Sequence, residues 1–295
     1  NGTTKKDTNG KEFQTLDELF AFLSEGTYEI SRRGQKYTAT INPDVAYGIM
    51  LTTSSAAKTD TVSKKVVIAA GGDRERSVNN ADAYLINNSA GVTIYALDTT
   101  YNPAHSLTFS NGLEVKPDAA LTLGNSTARR GTTIRYTFCG AVDVDGNLVF
   151  DGNAAELGQE GGTGGSVTFS SGAGLTVNQG GRVKVGSVAV VADGETAANP
   201  LFTVRQGGEL DFTSNGVTSY STINTSGTAI KVDGGNVTID AGRISTSGSE
   251  PAVVVDSGAV TISKFQGGNV SAPEITSGSS LSIKVAEDAT LTLEE

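Results

Sequence analysis

The chain has 295 residues, with 32 acidic side chains against 22 basic ones and a net charge of −10. It therefore lacks the basic stripe that nucleic-acid phosphates demand, and its acidity is read as a solubility feature. No apolar run approaches the roughly 20 residues needed to span a bilayer, which excludes a transmembrane helix. Glycine reaches 37 residues and Trp is absent, a mixture that would suit disorder, but Val, Ile and Leu keep a regular spacing that disordered chains lack.

The first twelve residues, NGTTKKDTNGKE, carry no apolar period and are predicted to be a disordered lead-in. Residue 1 opens no signal peptide, so either a leader has been removed or the chain is an excised piece. Over 13–26, FQTLDELFAFLSEG, the side chains of Phe13, Leu16, Leu19, Phe20 and Leu23 share one helical face. Thr15 with Glu18 forms a capping box and Gly26 a left-handed stop. A lone amphipathic helix ahead of a strand-only chain is predicted to cap the open end of a stack. Residues 27–41 then read as two strands about a turn at Gly34, and GIML and KKVVIAA as two more, separated by the polar loop TTSSAAKTDTVS.

From Tyr84 an eleven-residue phrase takes over, clearest in LTVNQGGRVKV (175–185) and FTVRQGGELDF (202–212), with apolar residues at its first, third, ninth and eleventh places. Eight copies, three with shortened turns, start at residues 84, 113, 142, 175, 202, 230, 253 and 283, a spacing of 23 to 33 residues. Each interval has room for a third strand, as in Leu107 with Phe109, Ile134 with Tyr136 and Phe138, Val167 with Phe169, and Val188 with Val190. Three short strands per turn make the coil of a parallel β-helix. About ten coils, some 4.8 Å apart, would give a rod of roughly 45–50 Å. The few aliphatic side chains that one coil buries cannot offset the entropy of ordering it, so only stacking stabilises the unit. The expected organisation is one domain over 13–295, with regular repeats over 84–293.

The phrases LTVNQGGRVKV and FTVRQGGELDF resemble the repeats of right-handed parallel β-helices in bacterial secreted and surface proteins, including autotransporter passengers and adhesin-like proteins. The opening helix, Gly26 and the strand after it are similar to the N-terminal cap of the same pectin-lyase-like superfamily. The resemblance covers nearly all of 13–295. It implies an all-β fold, a single right-handed parallel β-helix solenoid with an N-terminal capping α-helix, at an extracellular or cell-surface location. Lyases, hydrolases, phage tailspikes and adhesins all belong to that superfamily, so the resemblance leaves the function open. Cys139, the one cysteine, can form no internal disulfide and reads as a small buried filler beside Phe138. That usage fits a bacterial surface or secreted protein rather than a disulfide-stapled ectodomain.

Carbohydrate-active enzymes on this fold would need catalytic side chains on an outward strip. One strip is predicted to carry Leu85, Glu114, Asp143, Thr176, Thr203, Lys231, Val254 and Lys284, and a second Thr93, Thr122, Val149, Lys184, Asp211, Thr238, Thr261 and Thr292. Neither is expected to offer the neighbouring carboxylates of a glycosidase, and Lys184 with Asp211 reads as a surface ion pair. The polygalacturonase pattern of an Asp-Asp pair with Gly-His-Gly is missing, and His105 is the single histidine. DVDGNLVFDGN (143–153) lacks the glycine and acidic ligand of an EF-hand and reads as a tight turn. GQEGGTGGS (158–166) precedes no helix and reads as a flexible extrusion rather than a phosphate loop. No cofactor and no metal are expected. The threonines of the second strip would suit an ice-binding solenoid, were they not interrupted by Val149, Lys184 and Asp211.

One constellation remains. Tyr95, Tyr101 and His105 fall in one connection, and Arg129, Arg130, Arg135 and Tyr136 in the next, and stacking would make these loops neighbours. Aromatic faces beside guanidinium groups are what a sugar or acidic-glycan site requires. The expectation is an adhesin-like or structural stalk binding a glycan or host surface, of undetermined oligomeric state. A pectin-lyase-like polysaccharide lyase or hydrolase is the alternative.

Overall fold

The structure is a computed structural model. It describes residues 18–19, 21, 27–32, 35–40, 47–51, 61–62, 66–70, 76–78, 82–89, 91–96, 106–124, 134–152, 165–170, 172–193, 199–214, 221–264, 272–279 and 281–294. The expected capping helix falls almost wholly outside these residues. Of it, Leu19 is partly buried and packs against the core. The lead-in, residues 52–60 of the expected loop TTSSAAKTDTVS and most of 158–166 also lie outside, whereas Thr61–Val62 of that loop is a strand rather than loop, paired with Leu85 and Ile86, with Val62 buried. Thr27–Arg32 and Gln35–Thr40 form an antiparallel hairpin, as the Gly34 turn predicts.

Every other strand pairing is parallel, and each joins strands from neighbouring turns. The eight copies of the phrase lie on one another in phase. Leu113 pairs with both Tyr84 and Val142, and the ladder continues through Leu175, Phe202, Ile230, Val253 and Ile283. The second half of each phrase builds a second ladder, through Leu121, Leu148, Val183, Leu210, Val237, Val260 and Leu291. The intervals supply the third, from Arg76–Val78 to Glu274–Ser277. The result is an all-β parallel solenoid with three faces, of the right-handed type that parallel crossovers take. The expected count of about ten coils is not reached in full. Five successive turns, beginning at Val142, Leu175, Phe202, Ile230 and Val253, have all three strands described to the side chain.

Strand residues alternate between the interior and solvent, and the inward columns are apolar. Phe109, Phe138 and Phe169 stack along the axis with ring centroids 5.1 and 5.4 Å apart and interplanar angles of 14° and 28°, and Phe150 and Phe202 meet the stack edge-on. This column continues through Ala192 to Thr225, Thr246 and Ser277. There each hydroxyl accepts from the N–H two residues on, at Gly227, Gly248 and Ser279, so a ladder of hydroxyl turns replaces the ladder of rings. Ser221 is fully buried and ties two turns together. Its Oγ lies 3.0 Å from the Val185 carbonyl and 3.1 Å from that of Thr213, and accepts from the Val188 N–H at 3.4 Å. Cys139 is only partly buried, with its Sγ 3.4 Å from Ser170 Oγ. It is a corner residue rather than the buried filler expected.

The Gly-rich turn of the phrase has a backbone reason. Gly180 and Gly207 take positive φ of 81° and 73°, and Asp118 occupies the same place in its copy at 63°, the left-handed region that Gly enters freely and Asp tolerates. Gly112 combines φ of 87° with close approach, since an added Cβ would lie 2.0 Å from the Ala141 carbonyl oxygen.

Two substitutions test this packing by thermal melting. Phe138→Ala removes the middle ring of the stack and is expected to cost about 3–5 kcal/mol. Thr176→Ala, on the outward side of the first ladder, should stay within about 0.5 kcal/mol of the parent.

Candidate functional site

The outward columns come out in the predicted register. On the first face Leu85, Glu114, Asp143, Thr176, Thr203, Lys231, Val254 and Lys284 are successive partners. On the second, Thr93, Thr122, Val149, Lys184, Asp211, Thr238, Thr261 and Thr292 follow one another. The expectation that neither column holds neighbouring carboxylates is overturned, because Glu114 is the direct partner of Asp143. Adjacent strands lie about 4.8 Å apart, so two carboxyl groups stand side by side on one flat face.

Their surroundings differ. Glu114 forms an ion pair with Lys116, two residues on in the same strand-to-turn segment. Asp143 is half-buried, and no ion pair to it occurs among the described residues. Burial pushes its carboxyl above the ordinary value; Arg205 pulls it back, while Asp145 and Glu114 push it further up. Arg205 comes from two turns away and donates to Asn178 Oδ1 at 3.1 Å. The cluster of Glu114, Lys116, Asp143, Asp145, Asn178 and Arg205 thus sits where the first face turns into the second. One carboxyl is engaged by a lysine and its neighbour is biased toward holding a proton, and unlike surroundings of this kind are what acid–base chemistry uses. The Asp145–Gly146 turn within it is tight, as predicted, with both N–H groups donating to the Val115 carbonyl. Among the described residues no group of His, Cys, Asp and Glu is arranged to hold a metal.

Lys184 and Asp211 are register partners as expected, but among the described residues the ion pair between these two strands is not theirs and joins the adjacent column, Arg182 to Glu209 at 3.3 Å. The Asp211 carboxyl is pushed up by burial and by Glu209 and Asp240, and drawn down by a Thr238 hydrogen bond and, least of all, by Lys184. Arg243–Glu274 and Lys231–Asp256, both at 2.9 Å, likewise join consecutive turns.

The proposed glycan constellation is placed only in part. Tyr101, His105, Arg129 and Arg130 lie outside the described residues. Tyr95 lies within the second-face strand Val92–Ala96, in register with Ala69. Arg135 is exposed on the third face between Ser106 and Ser166. Tyr136 is not a surface residue. It is 1% exposed, and its hydroxyl donates to the Ile94 carbonyl at 2.6 Å. Neighbours in a strand point to opposite sides, so Arg135 outward requires Tyr136 inward.

Raised carboxyls give a pH test with a definite sign. A folded-state value above the unfolded one means that the protonated form stabilises the fold, fully below the unfolded value and less as pH rises through the folded one. Asp143→Asn and Asp211→Asn should each melt above the parent at pH 7. That advantage should vanish below about pH 4, where the parent carboxyls are protonated in both states. Thermal melts across this range provide the check.

Compared with family models, curated proteins and solved structures, the chain matches none of them, so the functional reading rests on the residues themselves.

Proposed function

We propose that the chain is an adhesin-like stalk of a bacterial cell-surface or secreted protein, a right-handed parallel β-helix of the pectin-lyase-like kind. The observation that carries this reading is the stacking of the repeats in one phase around an apolar interior. Such a ladder gives length and stiffness, which a device for holding a binding surface away from an envelope needs. Binding falls to the strand residue Tyr95 with Tyr101 and His105 after it, and to Arg129 and Arg130 with the strand residue Arg135 after them. Their ligand is an acidic glycan, on a host surface or in a polysaccharide. Tyr136 takes no part, since its ring and hydroxyl are used internally.

A second reading is favoured by one observation, the Glu114–Asp143 pair. Two carboxylates with unlike surroundings on an outward strip are what a polysaccharide hydrolase requires, with Asp143 as the acid and Glu114 as the base or nucleophile.

A panel of acidic and neutral glycans, scored for both binding and release of sugar products, separates the two. The stalk reading expects binding without turnover. It also expects Arg129→Ser/Arg130→Ser/Arg135→Ser to lose binding while melting as the parent does, because exposed charges contribute little to stability. Equal binding by parent and triple variant removes this site. Turnover that falls at least about a hundredfold in Glu114→Gln, the usual scale for losing an acid–base group, establishes the enzyme reading instead.

A further inference from the structure

The second face sorts its charge by turn. Two outward columns run along it, one through Asn147, Arg182, Glu209 and Asn236, the other through Val149, Lys184, Asp211 and Thr238. One turn therefore presents two cations side by side, Arg182 and Lys184, and the next presents two carboxylates, Glu209 and Asp211. The turns beyond carry short, uncharged side chains at the same places, as in Ala120 with Thr122 and Ala259 with Thr261. Arg182 and Glu209 meet at 3.3 Å, yet their side chains stay 66% and 44% exposed. That contact takes up two of the five N–H groups of the guanidinium. Lys184 and Asp211 are exposed, and neither joins an ion pair among the described residues.

We propose that this face docks on the same face of a second copy of the chain, with the two rods antiparallel. A sheet face meets itself about a twofold axis lying in the plane of contact, and two directions of that axis keep the facing strands aligned. An axis along the rod sets each turn against the same turn of the second copy and reverses the strands, so that Arg182 falls on Lys184 and Glu209 on Asp211. An axis along the strands, between the turns of Val183 and Leu210, keeps each position along the strand and reverses the order of turns. Arg182 then faces Glu209 of the second copy and Lys184 faces its Asp211, and the twofold repeats both matches. Opposed like charges disfavour the first arrangement, and four matched pairs favour the second. The adjoining turns bring Asn147 onto Asn236 and Val149 onto Thr238, with no charge on either side, so the two sheets can approach to about 10 Å. Asp211, whose carboxyl is pushed up by burial, Glu209 and Asp240, gains in the second copy the counter-charge that Lys184 of its own chain supplies only weakly.

Sedimentation equilibrium of the full chain over a concentration series tests the proposal, which does not depend on the stalk or hydrolase reading. At about 0.01 M salt, where charges act over roughly 30 Å, the mass should rise from 30.2 kDa toward twice that value. At about 1 M, where the range shrinks to roughly 3 Å, the dimer should weaken at least about tenfold. Arg182→Glu/Lys184→Glu and Glu209→Arg/Asp211→Lys should each stay monomeric with the circular dichroism spectrum of the parent, since exposed pairs hold the fold little. Mixed, the two variants should form a one-to-one dimer, because each reversed charge then meets an opposite one. Each double reversal shifts the net charge of −10 by four units, so both variants remain acidic and general attraction does not join them. A parent that is monomeric at every concentration overturns the proposal, as does a parent dimer that either reversal leaves intact, or a mixture of the two variants that does not associate.

Discussion

A parallel ladder repeated along one axis obliges every turn to present the same positions inward. Shifting a strand by one residue would turn its apolar set outward, so variation in length can enter only at corners. The copies at Ile230 and Val253 show how strictly this holds. Their shortened turns merge two strands into single ten-residue strands, and the register slips at Arg205 against Asp233 and Gly234, and again between Asp233 and Asn236. On either side of the slip the columns are intact. Val204 still lies on Val232 and Val255, and Leu210 on Val237 and Val260. The irregularity is confined to the turn between the two columns, from Arg205 and Asp233, both exposed, to the buried Gly235.

The same constraint organises charge. A side chain on an outward strand position has fixed neighbours one turn above and below, so alternating sign along the axis produces cross-turn pairs such as Arg182–Glu209, Lys231–Asp256 and Arg243–Glu274. Exposed as they are, these pairs stabilise the fold little; they lower the repulsion that like charges in one column would create. Glu114 above Asp143 departs from that alternation. The fold accommodates it by pairing Glu114 locally with Lys116 and by bringing Arg205 within electrostatic reach from two turns away. An arrangement that opposes the packing logic of its surroundings draws attention as a functional site for that reason.

Phase was legible in the amino-acid order, because spacing alone decides which residues share a column; both outward strips and the stacking of all eight copies follow from it. The neighbouring carboxylates were legible too, since Glu114 and Asp143 occupy the same place in consecutive copies. Inward orientation of Tyr136 was implied by its alternation with Ile134 and Phe138. Its partner was not, since the Ile94 carbonyl, on a different face of the preceding turn, reaches the phenol only across the packed interior. The pull of Arg205 on Asp143 is hidden for a similar reason: a long side chain crosses a turn, and residue spacing says nothing about where a flexible guanidinium settles. Hydroxyl turns at Thr225, Thr246 and Ser277 read in sequence as ordinary strand residues, and their role appears only where the phenylalanine column gives out.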